Sequence, residues 1–222
     1  MNSKETAETP EFDATTAQSV YRICNHYRKD DQPRGYLHTL EISDERSDQI
    51  LARCDVTGRP AQSSLTITDA ENRAWAMRPN RKIMPSRWII TDPEEAVAMQ
   101  LDQKTLKKLA NPLYQTALSL LDGAGEELYR LVDARTSIPD RIMAPGLGDW
   151  VILQGDRPVA TLVGLPPRER PSPGLLGKLR SWLSTADPGI ASIGPEHVFP
   201  APVALGVHMI FKELTDTSGV AA

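Results

Sequence analysis

The stretch Ala201–Leu214, which reads APVALGVHMIFKEL, decides the fold. It follows Pro200 and has Pro202 near a first helical position, where proline is well tolerated, so the sequence predicts that a helix begins here. Apolar residues occur on every side of this helix, and a helix that is apolar all round has to be buried. Gly206 would let a strand side chain come close to the helix backbone. The residues that would fill the surrounding core are Val203, Leu205, Val207, Met209, Ile210 and Phe211.

The chain before this helix repeats one pattern from about residue 36 onward. A short run of apolar and β-branched residues is followed by a polar turn with Asp, Asn or Gly, and then by a second short run. This pattern is typical of β-hairpins, and turns are indicated at Asp92-Pro93, Asp122-Gly123 and Gly155-Asp156. The predicted hairpins are residues 36–56, 63–78, 86–101, 114–133 and 149–164, and further strands are predicted near Val20–Tyr27 and Glu196–Pro200.

The strands and the apolar helix together predict the architecture. An antiparallel sheet of about 12 strands that closes on itself has an interior too wide for its own side chains to fill. The predicted fold class is therefore mainly β with α, an antiparallel β-barrel of hairpins that encloses the hydrophobic C-terminal helix. A β-sandwich with this helix packed on its outside is the alternative. One extra amphipathic helix is predicted over residues 173–185, because one helical stripe contains Leu175, Leu176, Leu179, Trp182 and Leu183.

The predicted domain organisation is simple. A disordered leader (1–18) precedes a single barrel domain (19–216), which contains an inserted loop and helix (170–187) and is followed by a flexible tail (217–222). The N-terminus is polar and acidic, without the basic start and apolar run of a secretory signal. No window is apolar over the length that a transmembrane helix requires. These features predict a cytoplasmic protein that can be peripheral at a membrane.

Composition and motif spacing argue against several classes of function. The net charge of -4 gives no overall attraction to nucleic acid. Cys24 and Cys54 have no second Cys or His at ligand spacing, so neither a disulfide framework nor a metal site is predicted. No nucleophile elbow, P-loop or dinucleotide-binding glycine pattern occurs, so we expect no enzyme and no cofactor. His208, inside the apolar helix, is predicted to be an interior histidine or one at the barrel rim.

Several of these segments resemble those of a known superfamily. They are RPNRKIMPSRWIITDPEEAVAMQL (78–101), LYQTALSLLDGAGEELYRLVD (113–133), the strand at Asp149-Trp150 with its return at 155–162, and VALGVHMIFKEL (203–214). A barrel of hairpins ending in one hydrophobic helix resembles the tubby C-terminal-like superfamily, which includes LURP-one-related proteins, tubby domains and phospholipid scramblases. The chain departs from that pattern at PPRERPSPGLLGKLRSWLS (166–184), an insertion before the last strand. The resemblance implies a barrel around a central helix and a binding or scaffolding role; tubby domains bind phosphoinositide headgroups.

The most uneven charge lies between Asn72 and Thr91, where five cations occur without one acidic residue. Guanidinium groups at adjacent strand ends can hold a phosphate by charge-assisted hydrogen bonds, as a phospholipid headgroup site would require. The candidate ligand-binding residues are Arg78, Arg81, Lys82 and Arg87. The alternative is a solvated turn whose cations are balanced by the nearby carboxylates of Asp69, Glu71, Asp92, Glu94 and Glu95.

The predicted inserted helix has the composition of a helix that lies on a membrane surface. Lys178 and Arg180 stand opposite its apolar stripe, and Trp182 favours the headgroup zone. These three residues are candidates for membrane or partner docking, although a helix that covers a barrel mouth has the same pattern. The expected partner is an anionic phospholipid, and the alternative function is a protein-interaction module or scaffold without a small-molecule ligand.

Overall fold

The computed structural model describes residues 19–27, 37–57, 59–103, 116–133, 150–166 and 187–218. In this part of the chain, twelve strands form a closed barrel in which every neighbouring pair is antiparallel. Each strand pairs with the strands before and after it in sequence, and β1 closes the barrel against β12. The strands are β1 (Ser19–Tyr27), β2 (Leu37–Asp44), β3 (Ile50–Thr57), β4 (Leu65–Asp69), β5 (Ala74–Pro79), β6 (Arg87–Thr91), β7 (Val97–Asp102), β8 (Thr116–Leu121), β9 (Glu127–Asp133), β10 (Trp150–Gln154), β11 (Arg157–Leu165) and β12 (Asp187–Ser192).

All five predicted hairpins are confirmed, as the pairs β2–β3, β4–β5, β6–β7, β8–β9 and β10–β11. The prediction of a strand near Glu196–Pro200 is wrong, because the closing strand is β12, which has the sequence DPGIAS. Pro188 and Gly189 made this segment resemble a turn. Gly189 is needed there, since a Cβ atom at this position would lie 2.8 Å from the Tyr21 carbonyl oxygen and from the Leu165 side chain.

The C-terminal helix α1 (Ala201–Ser218) lies inside the barrel. Every residue from Ala201 to Phe211 is buried, and the buried core joins this helix to inward-facing side chains from β1 to β12. The helix therefore fills the barrel, as predicted, and the sandwich alternative is excluded. Gly206 also has its predicted role, because Ile90 and Met77 pack directly against its backbone. The helix continues four residues beyond the predicted end, to Ser218.

Hydrogen bonds fix the helix at both ends of the barrel. Before its first residue, the Tyr21 hydroxyl donates to the Phe199 carbonyl at 2.9 Å. Near its C-terminal end, a Glu213 carboxylate oxygen accepts a hydrogen bond from the backbone N–H of Ala61 at 2.6 Å. Ala61 belongs to a short 3-10 turn between β3 and β4, and its carbonyl accepts from the Trp88 indole at 2.7 Å. The helix thus spans the barrel from one rim to the other.

A buried arginine stabilises the closure of the barrel. Arg22 of β1 is only 2% exposed and donates from Nη2 to Glu45 at 2.7 Å and from Nη1 to Asp187 at 2.8 Å. The same Nη1 donates to the Pro166 carbonyl at 2.8 Å. One guanidinium therefore connects β1 to the β2–β3 turn, to the end of β11 and to the start of β12.

Three predictions of the domain organisation fall on residues outside the described ones: the leader over 1–18, most of the insertion over 170–187, and the end of the tail beyond Ser218. The amphipathic helix predicted over 173–185 is among them. None of the helices in the described part of the chain combines the length and the apolar composition of a membrane-spanning segment.

Candidate functional site

The antiparallel order of the strands sorts the connections between them onto two rims. The first, which we call the short-turn rim, has the connections 45–49, 70–73, 92–96, 122–126 and 155–156, together with the segment 193–200 that leads into α1. The second, the long-loop rim, has the connections 28–36, 58–64, 80–86, 103–115, 134–149 and 166–186. Four of the latter lie largely outside the described residues, and both ends of each attach to strands at this rim.

The two rims differ strongly in the charge of their sequences. In the described part of the long-loop rim, the connections 59–64 and 80–86 contain 3 Lys or Arg and no Asp or Glu. Those of the short-turn rim, with 193–200, contain 2 Lys or Arg and 10 Asp or Glu. Among the described connections, the acidic residues are therefore gathered at one end of the barrel, and those at the other end are basic.

Three aspartates that open turns at the short-turn rim have a structural role. Asp122 opens the β8–β9 turn, and its Oδ1 accepts hydrogen bonds from the backbone N–H groups of Ala124 and Glu126, both at 2.9 Å. Asp69 begins the β4–β5 turn and accepts from two backbone N–H groups in the same way, whereas Asp92, which begins the β6–β7 turn, accepts from one, that of Ala96. The fourth residue of each turn has a positive φ: 61° at Asn72, 64° at Glu95 and 88° at Gly125. One turn design is used three times, and the first Asp of each turn is occupied by backbone N–H groups.

Asp69 also binds Arg73, which is one of the five cations between Asn72 and Thr91. Its Oδ2 accepts from Arg73 Nε at 2.8 Å and from the Trp75 indole at 3.0 Å. Burial alone would raise the pKa of Asp69, but hydrogen bonds from Trp75 and Arg73 outweigh burial, and the pKa is lowered. Arg73 is therefore a partner of the short-turn rim, which β5 separates from the predicted site by about 20 Å.

The four predicted ligand-binding residues lie together on the β5–β6 hairpin and its loop at the long-loop rim. Arg78 pairs with Ile89 of β6, whose side chain faces outward, and Arg87 is two residues before Ile89 on the same strand. Both arginines therefore point outward as well. Residues in such a diagonal relation share one face of the sheet. Arg87 lies 3.5 Å from Asp102 of β7 and is half exposed. Together, these two arginines form an exposed cationic face beside the loop.

Arg81 and Lys82 are exposed in the loop 80–86. Arg81 Nε donates to the Met84 carbonyl at 2.7 Å, so its guanidinium is positioned by the loop itself. No carboxylate that the structure describes forms an ion pair with Arg78, Arg81 or Lys82. The acids that the sequence offered as partners, from Asp92 to Glu95, are in the β6–β7 turn at the opposite rim. These three cations therefore remain available to an external anion.

Sequence reasoning missed two residues of this loop. Ile83 is 80% exposed and Met84 is 58% exposed, which makes them the two most exposed large apolar side chains of the described chain. They directly follow Arg81 and Lys82. The available signal was an apolar pair between Pro79 and Pro85, where the prolines argue against a continuing strand that would bury it.

The other predicted docking residues, Lys178, Arg180 and Trp182, lie outside the described residues. Their segment is attached to Leu165 of β11 and Asp187 of β12, both at the long-loop rim. The insertion and the β5–β6 loop therefore share this rim through their points of attachment.

Two titratable groups of the barrel interior, His208 and Cys54, have pKa values shifted away from neutral pH. His208 is buried as predicted, with 5% exposure, and burial together with nearby Lys212 lowers its pKa to about 4. Burial raises the pKa of the Cys54 thiol to about 12, with Asp55 adding to the effect. Among the described residues, no three His, Cys, Asp or Glu side chains come together as a metal site. His197 stacks on Tyr21 with ring centres 3.6 Å apart and contacts Asp44 at 3.0 Å, so it packs against the start of β1 and the end of β2.

Comparison with known proteins identifies no family. No protein-family model matches the chain, and no curated protein matches it. One solved structure with a similar outline is the X-ray structure of a protein from Arabidopsis thaliana. It has 11% sequence identity, covers 92% of this chain and 96% of its own, and gives a TM-score of 0.41. Values this low transfer no function.

Proposed function

We propose that this protein is a non-enzymatic, tubby-like barrel domain of the LURP-one-related kind that binds anionic phospholipid headgroups. In this proposal the long-loop rim faces the membrane, and the protein acts peripherally from the cytoplasm. Arg78, Arg81, Lys82 and Arg87 hold the phosphate groups.

The observation that carries the proposal is that Arg78, Arg81 and Lys82 lie at the rim opposite the acidic short turns. An acidic protein is repelled from an anionic surface by its net charge, but a charge dipole along the barrel axis orients the molecule as it approaches. The basic rim then lies within one Debye length of the membrane surface, where salt screens its attraction only weakly. The acidic rim is a barrel length away, so its repulsion is screened. Binding of this kind requires no change in the fold.

The chemistry of the cations supports phosphate as the ligand. Arg78, Arg81 and Lys82 are exposed and have no carboxylate partner among the described residues, so little must be broken before they bind an anion. Arginine offers paired N–H donors that match phosphate oxygens. Each cation near an anionic membrane contributes about 1 kcal/mol.

Flotation with lipid vesicles tests the proposal. The full chain is mixed with phosphatidylcholine vesicles that contain either no anionic lipid or about one fifth phosphatidylserine, a fraction chosen to give a strongly negative surface. We expect binding to the anionic vesicles only, and a steep loss of binding as salt is raised. The double variant Arg81→Gln/Lys82→Gln should bind about thirtyfold more weakly at low salt, as expected for the loss of two such cations.

A matched control removes the same charge from the short-turn rim. Arg46 and Arg157 are exposed there, so Arg46→Gln/Arg157→Gln changes the net charge equally. If both double variants lose the same affinity, net charge rather than a site governs binding, and the proposal is contradicted. Absence of binding to any anionic vesicle also contradicts it and favours the alternative, a protein-interaction module.

A further inference from the structure

We propose that Ile83 and Met84 insert into the lipid bilayer at the level of the headgroups when the long-loop rim contacts an anionic membrane. This inference deepens the proposed function and rests on it. It assigns the loop 80–86 a second kind of contact, with the apolar part of the bilayer.

Exposure of these two side chains calls for a binding partner. Inward-facing apolar residues of the neighbouring strands, such as Met77, Trp88 and Ile90, are almost completely buried. Ile83 and Met84 are adjacent and lie at the tip of their loop, with 80% and 58% of their surface exposed. A pair of large apolar side chains presented to solvent in this way is typical of an interaction site rather than of a stability requirement.

The loop holds this pair in one arrangement. Arg81 Nε donates to the Met84 carbonyl at 2.7 Å, and Met84 has a φ of 50°, a conformation that non-glycine residues rarely adopt. At the base of the loop, Asn80 Oδ1 accepts from the backbone N–H groups of Ser86 at 3.2 Å and Arg87 at 3.3 Å. The Ser86 carbonyl accepts from the Gln103 N–H at 2.8 Å, which ties the loop to the end of β7. An ordered tip loses little conformational entropy on insertion.

Charge complementarity selects an anionic membrane as the partner. Arg81 and Lys82 precede the apolar pair, and Arg78 and Arg87 flank the loop, with no acidic residue from Asn72 to Thr91. Anionic headgroups match these cations while the acyl chains beneath them accept Ile83 and Met84. A nucleic acid would match the cations alone, and a second copy docked through the same loop would bring cation against cation. An anionic membrane satisfies both features at once.

A fluorescent label that responds to polarity tests insertion. Ile83→Cys in the full chain is labelled under native conditions, where Cys24 and Cys54 are buried. The control is Ile50→Cys, which replaces another exposed apolar residue, at the short-turn rim. With phosphatidylcholine vesicles containing phosphatidylserine, we expect a blue shift and quenching by brominated acyl chains at position 83 and neither at position 50.

A second variant separates insertion from electrostatic binding. Ile83→Ser/Met84→Ser keeps every charge, and we expect about a tenfold loss of vesicle affinity that persists as salt is raised. The loss caused by Arg81→Gln/Lys82→Gln should instead disappear at high salt. If the chain binds anionic vesicles while the label at position 83 stays in water, insertion is overturned and the proposed function survives. If the chain binds single-stranded polynucleotide or a protein and does not bind the vesicles at all, both are overturned.

Discussion

Gly206 of helix α1 lies so close to Ile90 of strand β6 that a Cβ atom on residue 206 would stand 2.6 Å from Ile90 Cδ1. The helix backbone and the barrel wall are therefore in direct contact at this point. Ile90 is completely buried, so its side chain has little free space into which it can move. Glycine is used here for close packing, against its poor helix propensity.

Gly206→Ala should destabilise the protein, because the added methyl group overlaps Ile90 in a close-packed core. Overpacking of this kind costs about 1–3 kcal/mol, which exceeds the gain of about 1 kcal/mol from better helix propensity. The free energy of unfolding from urea titration measures the net effect.

Ile90→Val removes the Cδ1 atom and provides the test of this explanation. The double variant Gly206→Ala/Ile90→Val should be more stable than Gly206→Ala alone. If the two changes were independent, their losses of unfolding free energy would add, and the double variant would be the less stable one. Simple additivity of the two losses would show that the contact with Ile90 is not the cause.

His208 should make the stability of the barrel depend on pH between about 6.5 and 4. Its folded-state pKa is lowered to about 4 by burial and by Lys212, so it stays neutral in the barrel. In the unfolded chain it binds a proton near its ordinary pKa of about 6.5, so the unfolded state binds more protons in this window. Stability is therefore full above pH 6.5 and falls as the pH drops toward 4, by about 3 kcal/mol in total.

His208→Gln should flatten this pH profile, because the variant has no titrating group at this position. Urea titrations of both proteins at several pH values give the difference, in which the contributions of the groups common to both proteins cancel. Parallel profiles for the two proteins would mean that His208 does not titrate as its burial requires.

The fold could be predicted because its signals are local. Each hairpin contains its own turn residues, and the apolar composition of helix α1 indicates that the helix is buried. Strand β12 was missed because the reason for Gly189 is a contact with Tyr21 and Leu165, which are distant in sequence. The five cations between Asn72 and Thr91 include Arg73, and the sequence alone does not show that Arg73 lies at the other rim. Exposure of Ile83 and Met84 likewise depends on where the loop lies in the barrel.

Glu95 should be replaceable by a residue that stabilises the β6–β7 turn. It has a φ of 64°, at the position that Asn72 and Gly125 occupy in the two equivalent turns. Glutamate in this left-handed conformation costs roughly 1–2 kcal/mol, part of which glycine recovers after its larger loss of backbone entropy. Glu95→Gly should therefore raise the free energy of unfolding by up to about 1 kcal/mol.

The reverse change at the equivalent position is the control. Gly125 has a φ of 88° and open space around the position of a Cβ atom, so Gly125→Glu introduces only the conformational cost. We expect it to destabilise the protein by about 1 kcal/mol or more. A destabilising Glu95→Gly would indicate that the Glu95 side chain contributes a contact that outweighs its backbone strain.

Asp69 and Asp122 occupy the same turn position, and replacing each by Asn should separate their roles. Asn keeps the Oδ1 acceptor that binds the turn N–H groups, which is the contact that both residues make. Only Asp69 also uses Oδ2, which accepts from Arg73 and from the Trp75 indole. In the Asn variant an amide NH2 group would replace this acceptor and would face two hydrogen-bond donors. Asp69→Asn should thus cost about 2 kcal/mol, while Asp122→Asn stays near neutral. Denaturant titration at pH 7 compares them, and equal losses at both positions would mean that the turn contacts alone account for the role of Asp69.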